Sequence, residues 1–172
     1  MVNSKDIKSR KDYKFFHEIS TRWNDNDVRW HLNNAKYYEF FDTVINKMLI
    51  ELNSLSLKVG KNIFVTAETG CRYFEEITFP DKITAGLKIV HIGKSSVKYD
   101  IGLFRNNNKK TSAIGFFVHV MINQQTKKPI EKTKKTIFLN SFTVFWPAGG
   151  GRGGHASGRF DYGLETPPGR LH

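Results

Sequence analysis

Residues 21–52, TRWNDNDVRWHLNNAKYYEFFDTVINKMLIEL, decide the fold of this chain. After Asn33-Asn34, large apolar residues recur with a period of 3.6, at positions 37, 38, 41, 44, 45, 48, 49 and 52. This spacing predicts a helix with a wide apolar stripe. A helix of that length spans roughly 30 Å, which is enough to cross a small domain. The rest of the chain is therefore expected to pack around it.

The start of this helix combines a capping residue with a nearby carboxylate. Asn33 is a favourable N-cap whose side chain accepts from the N–H of Ala35 or Lys36, which leaves the N–H of Asn34 without a partner. A free N–H at the positive end of a helix dipole suits an anion or a polarised carbonyl. Asp27 lies seven residues upstream, on the loop that leads into the helix. A carboxylate facing an oxyanion donor is the minimum equipment for hydrolysing an activated acyl group, although an Asp-rich turn before a capped helix has the same spacing.

The stretch resembles the motif of the hot-dog-fold acyl-CoA thioesterases of the 4-hydroxybenzoyl-CoA thioesterase family. In that motif a D-x-D pair is followed by G-H-V-N-N and an aromatic-rich helix, and here it reads DNDVRWHLNNAKYYEFFD. The likeness continues into VTAETGCRYFEEITFPDKITAGLKIVHIGKSSVKYDIGLF and covers about residues 13–138. It implies an α+β hot-dog fold, in which an antiparallel β-sheet wraps around one long central α-helix. It also implies a cofactor-free thioesterase that hydrolyses a small or medium acyl-CoA to free acid and CoA.

In the resembling family the second aspartate of the pair is the catalytic carboxylate, which is Asp27 here. The N–H that polarises the thioester carbonyl is that of Asn34. The carboxylate either attacks the carbonyl to give an anhydride or activates a water, and the sequence leaves both routes open. Trp30 stands where the family usually has glycine, and Arg29 replaces a residue that is often aromatic. An indole at this point would narrow or block the acyl slot, so the alternative is a catalytically silent hot-dog dimer that binds acyl-CoA or another polyanion.

Other residues of the chain are weaker candidates. His31 either orients the loop, hydrogen-bonds the substrate, or is a structural histidine bonded to backbone. Asp25 competes with Asp27, but loop capping is its favoured interpretation. Asn33 is a candidate substrate contact, although a cap is its commoner role. Cys71 offers a thiol nucleophile, but a lone cysteine in a strand is more often a small core residue.

Two further segments are expected to touch the substrate. Glu68 and Gly70 lie in a strand that would flank the helix start in a hot-dog fold, where Glu68 would assist a water and Gly70 would allow close approach. A solvated glutamate and a β-bulge glycine are the alternative. Lys94, Ser95 and Ser96 belong to a turn that, in the resembling family, lies near the nucleotide end of CoA across the dimer interface. Ammonium and hydroxyl groups suit phosphate, although an ordinary polar hairpin has the same composition.

The composition predicts one domain, since the chain has 172 residues of which 39% are hydrophobic and 13% aromatic. No apolar run is long enough to span a membrane, and the first residues lack the apolar segment of a secretory signal. One cysteine fits a reducing compartment, so a cytoplasmic protein is expected. Neither metal-ligand spacings nor glycine-rich phosphate-binding motifs occur, so no metal and no cofactor are expected.

The net charge of +11 favours a polyanionic partner, either CoA or nucleic acid. Because the lysines are dispersed rather than grouped on one element, and the aromatic residues follow core periodicity, nucleic acid is the weaker candidate. Acyl-CoA is therefore the expected partner.

Around the helix, alternating and apolar runs predict the strands of a sheet. They lie at residues 14–23, 63–74, 82–92, 95–104 and 111–122. An open sheet leaves an edge to be covered, which favours a homodimer or homotetramer. Eight of the 14 glycines lie in residues 140–172, which have no periodicity and resemble a linker or a vector-derived remnant. We therefore predict a hot-dog domain over residues 1–139 and a disordered or vector-derived Gly-rich tail over residues 140–172.

Overall fold

The computed structural model of the protein describes residues 6–52 and 61–131. The predicted tail at 140–172 lies outside the described residues. The described part contains one α-helix and five strands: β1 (Phe15–Ser20), α1 (Asn34–Glu51), β2 (Asn62–Tyr73), β3 (Lys82–Ile92), β4 (Ser96–Arg105) and β5 (Ala113–Asn123). The strands form one antiparallel sheet in the order β1-β3-β4-β5-β2. One long helix against an antiparallel sheet is the α+β hot-dog arrangement that the sequence predicts.

The helix α1 buries the predicted apolar stripe. Its N-cap is Asn33, whose side-chain oxygen accepts from the N–H of Ala35 at 3.0 Å, as the sequence predicts. Tyr38 and Leu52 pack against the core while staying partly exposed. The buried residues of the helix are Tyr37, Phe40, Phe41, Val44, Ile45, Met48 and Leu49. The cap and the stripe together fix where the helix begins and which side of it meets the sheet.

The sheet has a helix face, which packs on α1, and an outer face, which points away from it. Along β4, every second residue from Val97 to Leu103 belongs to the core under α1. The residues between them, including Lys98 and Asp100, therefore lie on the outer face. Close packing on the helix face requires Gly115 in β5, because a Cβ there would lie 2.3 Å from the Phe41 ring.

The strand β2 changes face partway along its length. Thr66 pairs with His119, but the next pair is Glu68 with Val118, so Ala67 is an extra residue in a β-bulge. His119 is buried on the helix face, and Val118 alternates to the outer face. The bulge therefore moves Glu68 to the outer face, whereas unbroken alternation from Thr66 would have placed it on the helix face.

The first strand is shorter than the sequence predicts. It ends at Ser20 instead of continuing to residue 23. The chain leaves the sheet because the Asp25 carboxylate accepts from the Arg22 N–H at 2.7 Å and closes a turn over Trp23–Asp25. This turn starts the loop that leads into α1.

The strands β1 and β2 form the two edges of the sheet within the described part of the chain. With 12 residues, β2 is the longer edge. An edge of that length presents a row of unpaired backbone groups to another chain. The predicted dimer or tetramer stays a prediction.

Two polar atoms in the core have no hydrogen-bond partner among the described residues: the hydroxyl of Tyr99 and Nδ1 of His119. The centroids of the two rings are 5.3 Å apart, and Phe64 stacks on the imidazole at 5.9 Å. Burial lowers the pKa of His119, and the Asp42 carboxylate opposes this effect. The folded protein therefore holds His119 in its neutral form.

We expect the protein to lose stability as the pH falls through the ordinary histidine pKa of 6.5. Below that value the unfolded chain takes up a proton at His119 that the folded chain resists, so acid favours unfolding. Well above this pKa, the imidazole is neutral in both states, so it does not make the free energy of unfolding depend on pH. Between about pH 8 and about pH 5, the melting temperature of wild type should fall more than that of His119→Phe, whose ring suits the aromatic surroundings. An equal fall of the melting temperature with pH in the two proteins would contradict this expectation.

Candidate active site

The loop before α1 closes on itself at the helix start. Asn26 and Leu32 form an isolated antiparallel bridge, and the N–H of Asp27 donates to the carbonyl of His31 at 2.8 Å. One step further out, the N–H of Asn33 donates to the carbonyl of Asp25 at 2.9 Å. The loop is thus a small hairpin whose base is the N-cap of the helix, which holds Asp27 and the first turn of α1 on one unit.

A second segment, residues 76–79, runs beside this hairpin. The N–H of Leu32 donates to the carbonyl of Ile77 at 2.8 Å, and the Thr78 hydroxyl donates to the carbonyl of Trp30 at 2.6 Å. The Asn26 amide donates to the Thr78 hydroxyl at 3.1 Å and accepts from the N–H of Phe79 at 3.1 Å. These bonds fasten the loop to the segment that precedes β3.

The N–H of Asn34 is available at the start of the helix, beside a cavity. The side-chain oxygen of Asn33 accepts from the N–H of Ala35, and its carbonyl accepts from the N–H of Lys36. In the described part of the chain, the N–H of Asn34 has no acceptor. Asn34 is exposed and borders a cavity of about 280 Å³. The cavity is lined by His31, Leu32, Asn34, Tyr37, Tyr73, Phe74, Glu75 and Glu76.

The Asp27 carboxylate is exposed and bonded to its own loop. Its Oδ1 accepts from the N–H of Arg29 at 2.8 Å and from the N–H of His31 at 3.3 Å. The bond from the Arg29 N–H is the main reason that the pKa of Asp27 lies below its ordinary value. Asp27 is therefore ionised at neutral pH, and its second oxygen is engaged by no described residue. The structure puts the carboxylate on the hairpin at the helix start, outside the lining of the Asn34 cavity.

Asp25 differs from Asp27 in being fully buried, with a relative exposure of 0%. It accepts from the N–H of Arg22 at 2.7 Å and from the Arg22 guanidinium at 3.1 Å. The ammonium of Lys36 lies 3.8 Å away. All these contacts hold the loop together, so Asp25 has the capping role that the sequence favours.

Trp30 adopts a left-handed backbone conformation with φ of 63°. Glycine takes this conformation without steric cost, whereas other L-residues lose about 1 kcal/mol or more. The indole is 59% exposed and lies edge-on to Trp23, with ring centroids 4.9 Å apart. Phe79 packs on Trp23 from the other side at 6.0 Å. The turn therefore suits the glycine that is usual in the resembling family, and the indole instead extends an exposed aromatic cluster.

The structure does not bring Glu68 or Gly70 to the Asn34 cavity. The bulge in β2 turns Glu68 to the outer face, and Gly70 pairs there with Phe116, whose ring would lie 2.6 Å from a Cβ at Gly70. The glycine thus accommodates an aromatic ring of its own chain, and the bulge lies at Ala67 rather than at Gly70. A larger cavity of about 440 Å³ borders Gly70, but it lies on the outer face, away from the helix start. The end of β2 does reach the helix start, because Tyr73 lines the same cavity as Asn34, but Glu68 and Gly70 do not line it within one chain, so their contact with a substrate stays a prediction.

Cys71 lies on the helix face of β2 and packs against the core. Burial raises the pKa of its thiol to about 11. The thiol is protonated at neutral pH, whereas the thiolate is the nucleophilic form. Cys71 is therefore a small core residue, which is the interpretation that the sequence favours.

Lys94, Ser95 and Ser96 lie at the turn between β3 and β4. The N–H of Gly93 donates to the carbonyl of Ser96 at 2.9 Å and closes the turn. The Asn34 cavity lies near the start of β3, and an 11-residue strand is about 35 Å long. The turn and the cavity therefore lie at opposite ends of the sheet in one chain, so these residues reach the same substrate only if a second subunit supplies them.

Sequence analysis missed the acidic side of the cavity. His31 Nε2 lies 3.4 Å from Glu76 Oε2. Glu75 accepts from the Ser112 hydroxyl at 2.8 Å and from the Asn108 amide at 2.9 Å. Glu76 is 45 residues from His31 along the chain, so no local spacing could reveal this contact. Elsewhere in residues 6–52 and 61–131, no three His, Cys, Asp or Glu side chains converge as they would around a metal ion.

Most of the chain matches a known protein family. A model of the Thioesterase-like superfamily matches residues 21–136, which include the hairpin, α1 and strands β2 to β5. The PA5185 protein from Pseudomonas aeruginosa has a similar structure, with a TM-score of 0.75 and 36% sequence identity over 79% of this chain and 96% of that chain. Within the described residues, no helix has the length and apolar character needed to cross a bilayer.

Two more distant structures are similar in fold. The SAV2348 protein from Staphylococcus aureus, solved in complex with CoA, has a TM-score of 0.69 and 20% identity over 77% of this chain and 89% of that chain. Slr0204, a 1,4-dihydroxy-2-naphthoyl-CoA thioesterase from Synechocystis, has a TM-score of 0.69 and 15% identity over 75% of this chain and 97% of that chain.

Proposed function

This chain belongs to the thioesterase-like superfamily, and we propose that it is a cytoplasmic acyl-CoA thioesterase of the 4-hydroxybenzoyl-CoA thioesterase type. Its substrate is a small or medium acyl-CoA, and its products are the free acid and CoA. The observation that carries the proposal is the unpaired N–H of Asn34 at the start of α1, in a residue that lines the cavity. An N–H at a helix start stabilises the negative charge that develops on the thioester oxygen during attack.

Asp27 supplies the second component of the mechanism. Its carboxylate is ionised, and the N–H of Arg29 holds it in place. In one route a carboxylate oxygen bonds to the thioester carbon and the C–S bond breaks, which gives an anhydride and CoA thiolate; a water then splits the anhydride. In the other route Asp27 takes a proton from a water as the water bonds to the same carbon. Both routes need the carbonyl oxygen within reach of the Asn34 N–H.

A second subunit completes the site in this proposal. Asp27 is exposed in the single chain, and the Lys94–Ser96 turn lies at the far end of the sheet. Pairing of two β2 edges would cover the longest free edge. It would also supply the turn of one subunit to the substrate bound at the other, where the ammonium of Lys94 suits the phosphates of CoA. The CoA complex of the similar SAV2348 protein supports a ligand of this type.

A thiol-release assay against a panel of acyl-CoAs of increasing chain length tests the function directly. We expect release of CoA from at least one small or medium acyl-CoA. Calorimetry on the same protein measures the binding of CoA independently of turnover. Binding of acyl-CoA without release of thiol would favour the alternative, a silent hot-dog dimer that binds acyl-CoA. Trp30 is the observation that favours this alternative, because its indole stands where the resembling family has no side chain.

Replacing Trp30 with glycine should broaden the acyl range or raise the turnover several-fold. The indole is removed from the loop of Asp27, and glycine adopts the φ of 63° without strain. Trp30→Ala is the matched control, since it removes the indole but keeps the strained backbone. A gain in both variants assigns the effect to the bulk of the indole, and a gain in Trp30→Gly alone assigns it to the backbone. Unchanged substrate range and rate in both variants would remove Trp30 from the acyl slot.

A further inference from the structure

Glu76 lines the same cavity as Asn34, and its carboxylate faces the imidazole of His31. Nε2 of His31 and Oε2 of Glu76 are 3.4 Å apart. We propose that Glu76 is a positioning residue, which holds the His31 ring for the thioester hydrolysis proposed above. This inference rests on the proposed function for its catalytic consequence, but the contact itself can be tested without turnover.

The backbone brings these two side chains together. The N–H of Leu32 donates to the carbonyl of Ile77, so the residues that precede them, His31 and Glu76, are neighbours across a backbone pair. The carbonyl of Glu76 also accepts from the Arg105 guanidinium at 3.4 Å. At the other side, His31 is fixed to Asp27 by the N–H and carbonyl bonds of the hairpin. The main chain therefore makes the two residues neighbours, and the side chains that meet are 46% exposed for His31 and 74% exposed for Glu76.

Three glutamates have to be distinguished: Glu68, Glu75 and Glu76. Glu75 is held by Ser112 and Asn108, and Glu68 lies on the outer face. The Glu76 carboxylate is paired with His31, and the Tyr37 hydroxyl lies within electrostatic reach of it. Glu76 is therefore the acid whose removal changes the surroundings of His31 and leaves the rest of the polar network intact.

A carboxylate beside Nε2 selects the tautomer that carries its proton there, because the carboxylate can only accept. Nδ1 is then the atom that accepts a proton. In the anhydride route, water bonds to the acyl carbon, the bond from that carbon to the Asp27 oxygen breaks, and Nδ1 takes one proton of the water. His31 returns this proton to the CoA thiolate, while the second proton leaves with the acid. Separations of about 3.4 Å in a ligand-free site commonly shorten when substrate binds.

The test compares Glu76→Ala, Glu76→Gln and Glu18→Ala with the wild-type protein. For histidines that bind a metal, loss of the orienting partner costs about 10- to 100-fold in metal affinity or activity, and the lower end of that range is the reference for His31. We expect Glu76→Ala to lower kcat by at least about tenfold with little change in KM, and Glu76→Gln, which keeps an acceptor oxygen, to recover part of the loss. Glu18→Ala removes an exposed acid of β1 and should match wild type. Wild-type kcat in Glu76→Ala, or an equal loss in Glu18→Ala, would overturn the proposal.

Nitrogen-15 chemical shifts of the imidazole give a second readout that a purely structural role would not move. The His31 signals are assigned by their loss in His31→Gln. We expect wild type to show the Nε2–H tautomer, and Glu76→Ala to show a mixture of the two tautomers. Identical shifts in the two proteins would overturn the contact. If wild type hydrolyses no acyl-CoA, the proposed function fails, and the chemical shifts alone still decide whether Glu76 holds His31.

Discussion

Asp27→Asn should fold like the wild-type protein and hydrolyse acyl-CoA at least about a hundredfold more slowly, since a positioned general base or nucleophile contributes about 10² to 10⁴ in rate. The amide oxygen of asparagine can still accept from the N–H groups of Arg29 and His31, which are the bonds that shape the hairpin. The charge and the nucleophilic or basic oxygen are lost. A thiol-release assay and a thermal melt on the same preparation measure both consequences.

The matched control for this variant is Asp25→Asn, two residues earlier in the same loop. Asp25 is buried and holds Arg22 through backbone and guanidinium bonds. An amide there would weaken these bonds and bury N–H groups that have no acceptor, so the main effect should be a lower melting temperature. Turnover near that of wild type in Asp27→Asn would exclude Asp27 from the mechanism. A loss of turnover in Asp25→Asn without a loss of stability would transfer the catalytic role to Asp25.

Phe41→Ala should destabilise the protein by about 3–5 kcal/mol, which is the usual cost of removing a fully buried phenylalanine. The ring has a relative exposure of 0% and lies edge-on to Phe117 at 6.3 Å. On the other side it fills the space above Gly115. Because the ring lies where α1 meets the sheet, its loss leaves a cavity that the sheet can close only by distorting β5. Urea unfolding measures the free energy of the change.

Phe16→Ala is the control for this second variant. Phe16 is a phenylalanine on the outer face and is 41% exposed, so its replacement should cost much less than that of Phe41. A cost below about 1 kcal/mol for Phe41→Ala would mean that α1 does not depend on this contact. Equal costs for the two variants would contradict the assignment of the helix face as the core.

Much of this architecture could be predicted from local patterns. The apolar period after Asn33 predicts α1 to within a residue, and the alternation at Lys82–Ile92 predicts β3 with the observed bounds. The capping interaction of Asn33 also follows from the residue type and its place. These features depend on neighbours within one or two turns, so the sequence alone contains them.

The parts that were missed depend on contacts between distant segments. Alternation counted from Thr66 places Glu68 on the helix face, and only the register with β5 reveals the bulge that reverses this. In the same way, Glu76 reaches His31 through the pairing of Leu32 with Ile77. Neither effect leaves a mark in the local sequence, because a bulge needs no special residue at Ala67.

The extra residue in β2 has a consequence for how this chain can vary. Substituting Ala67 alters one side chain, but deleting it would rotate every later residue of the strand by half a turn. Cys71 would move out to solvent, and the Arg72 guanidinium would be driven beneath the helix, where a cation has no counterion. The number of residues between Thr66 and Tyr73 is therefore constrained more tightly than the identity of residue 67.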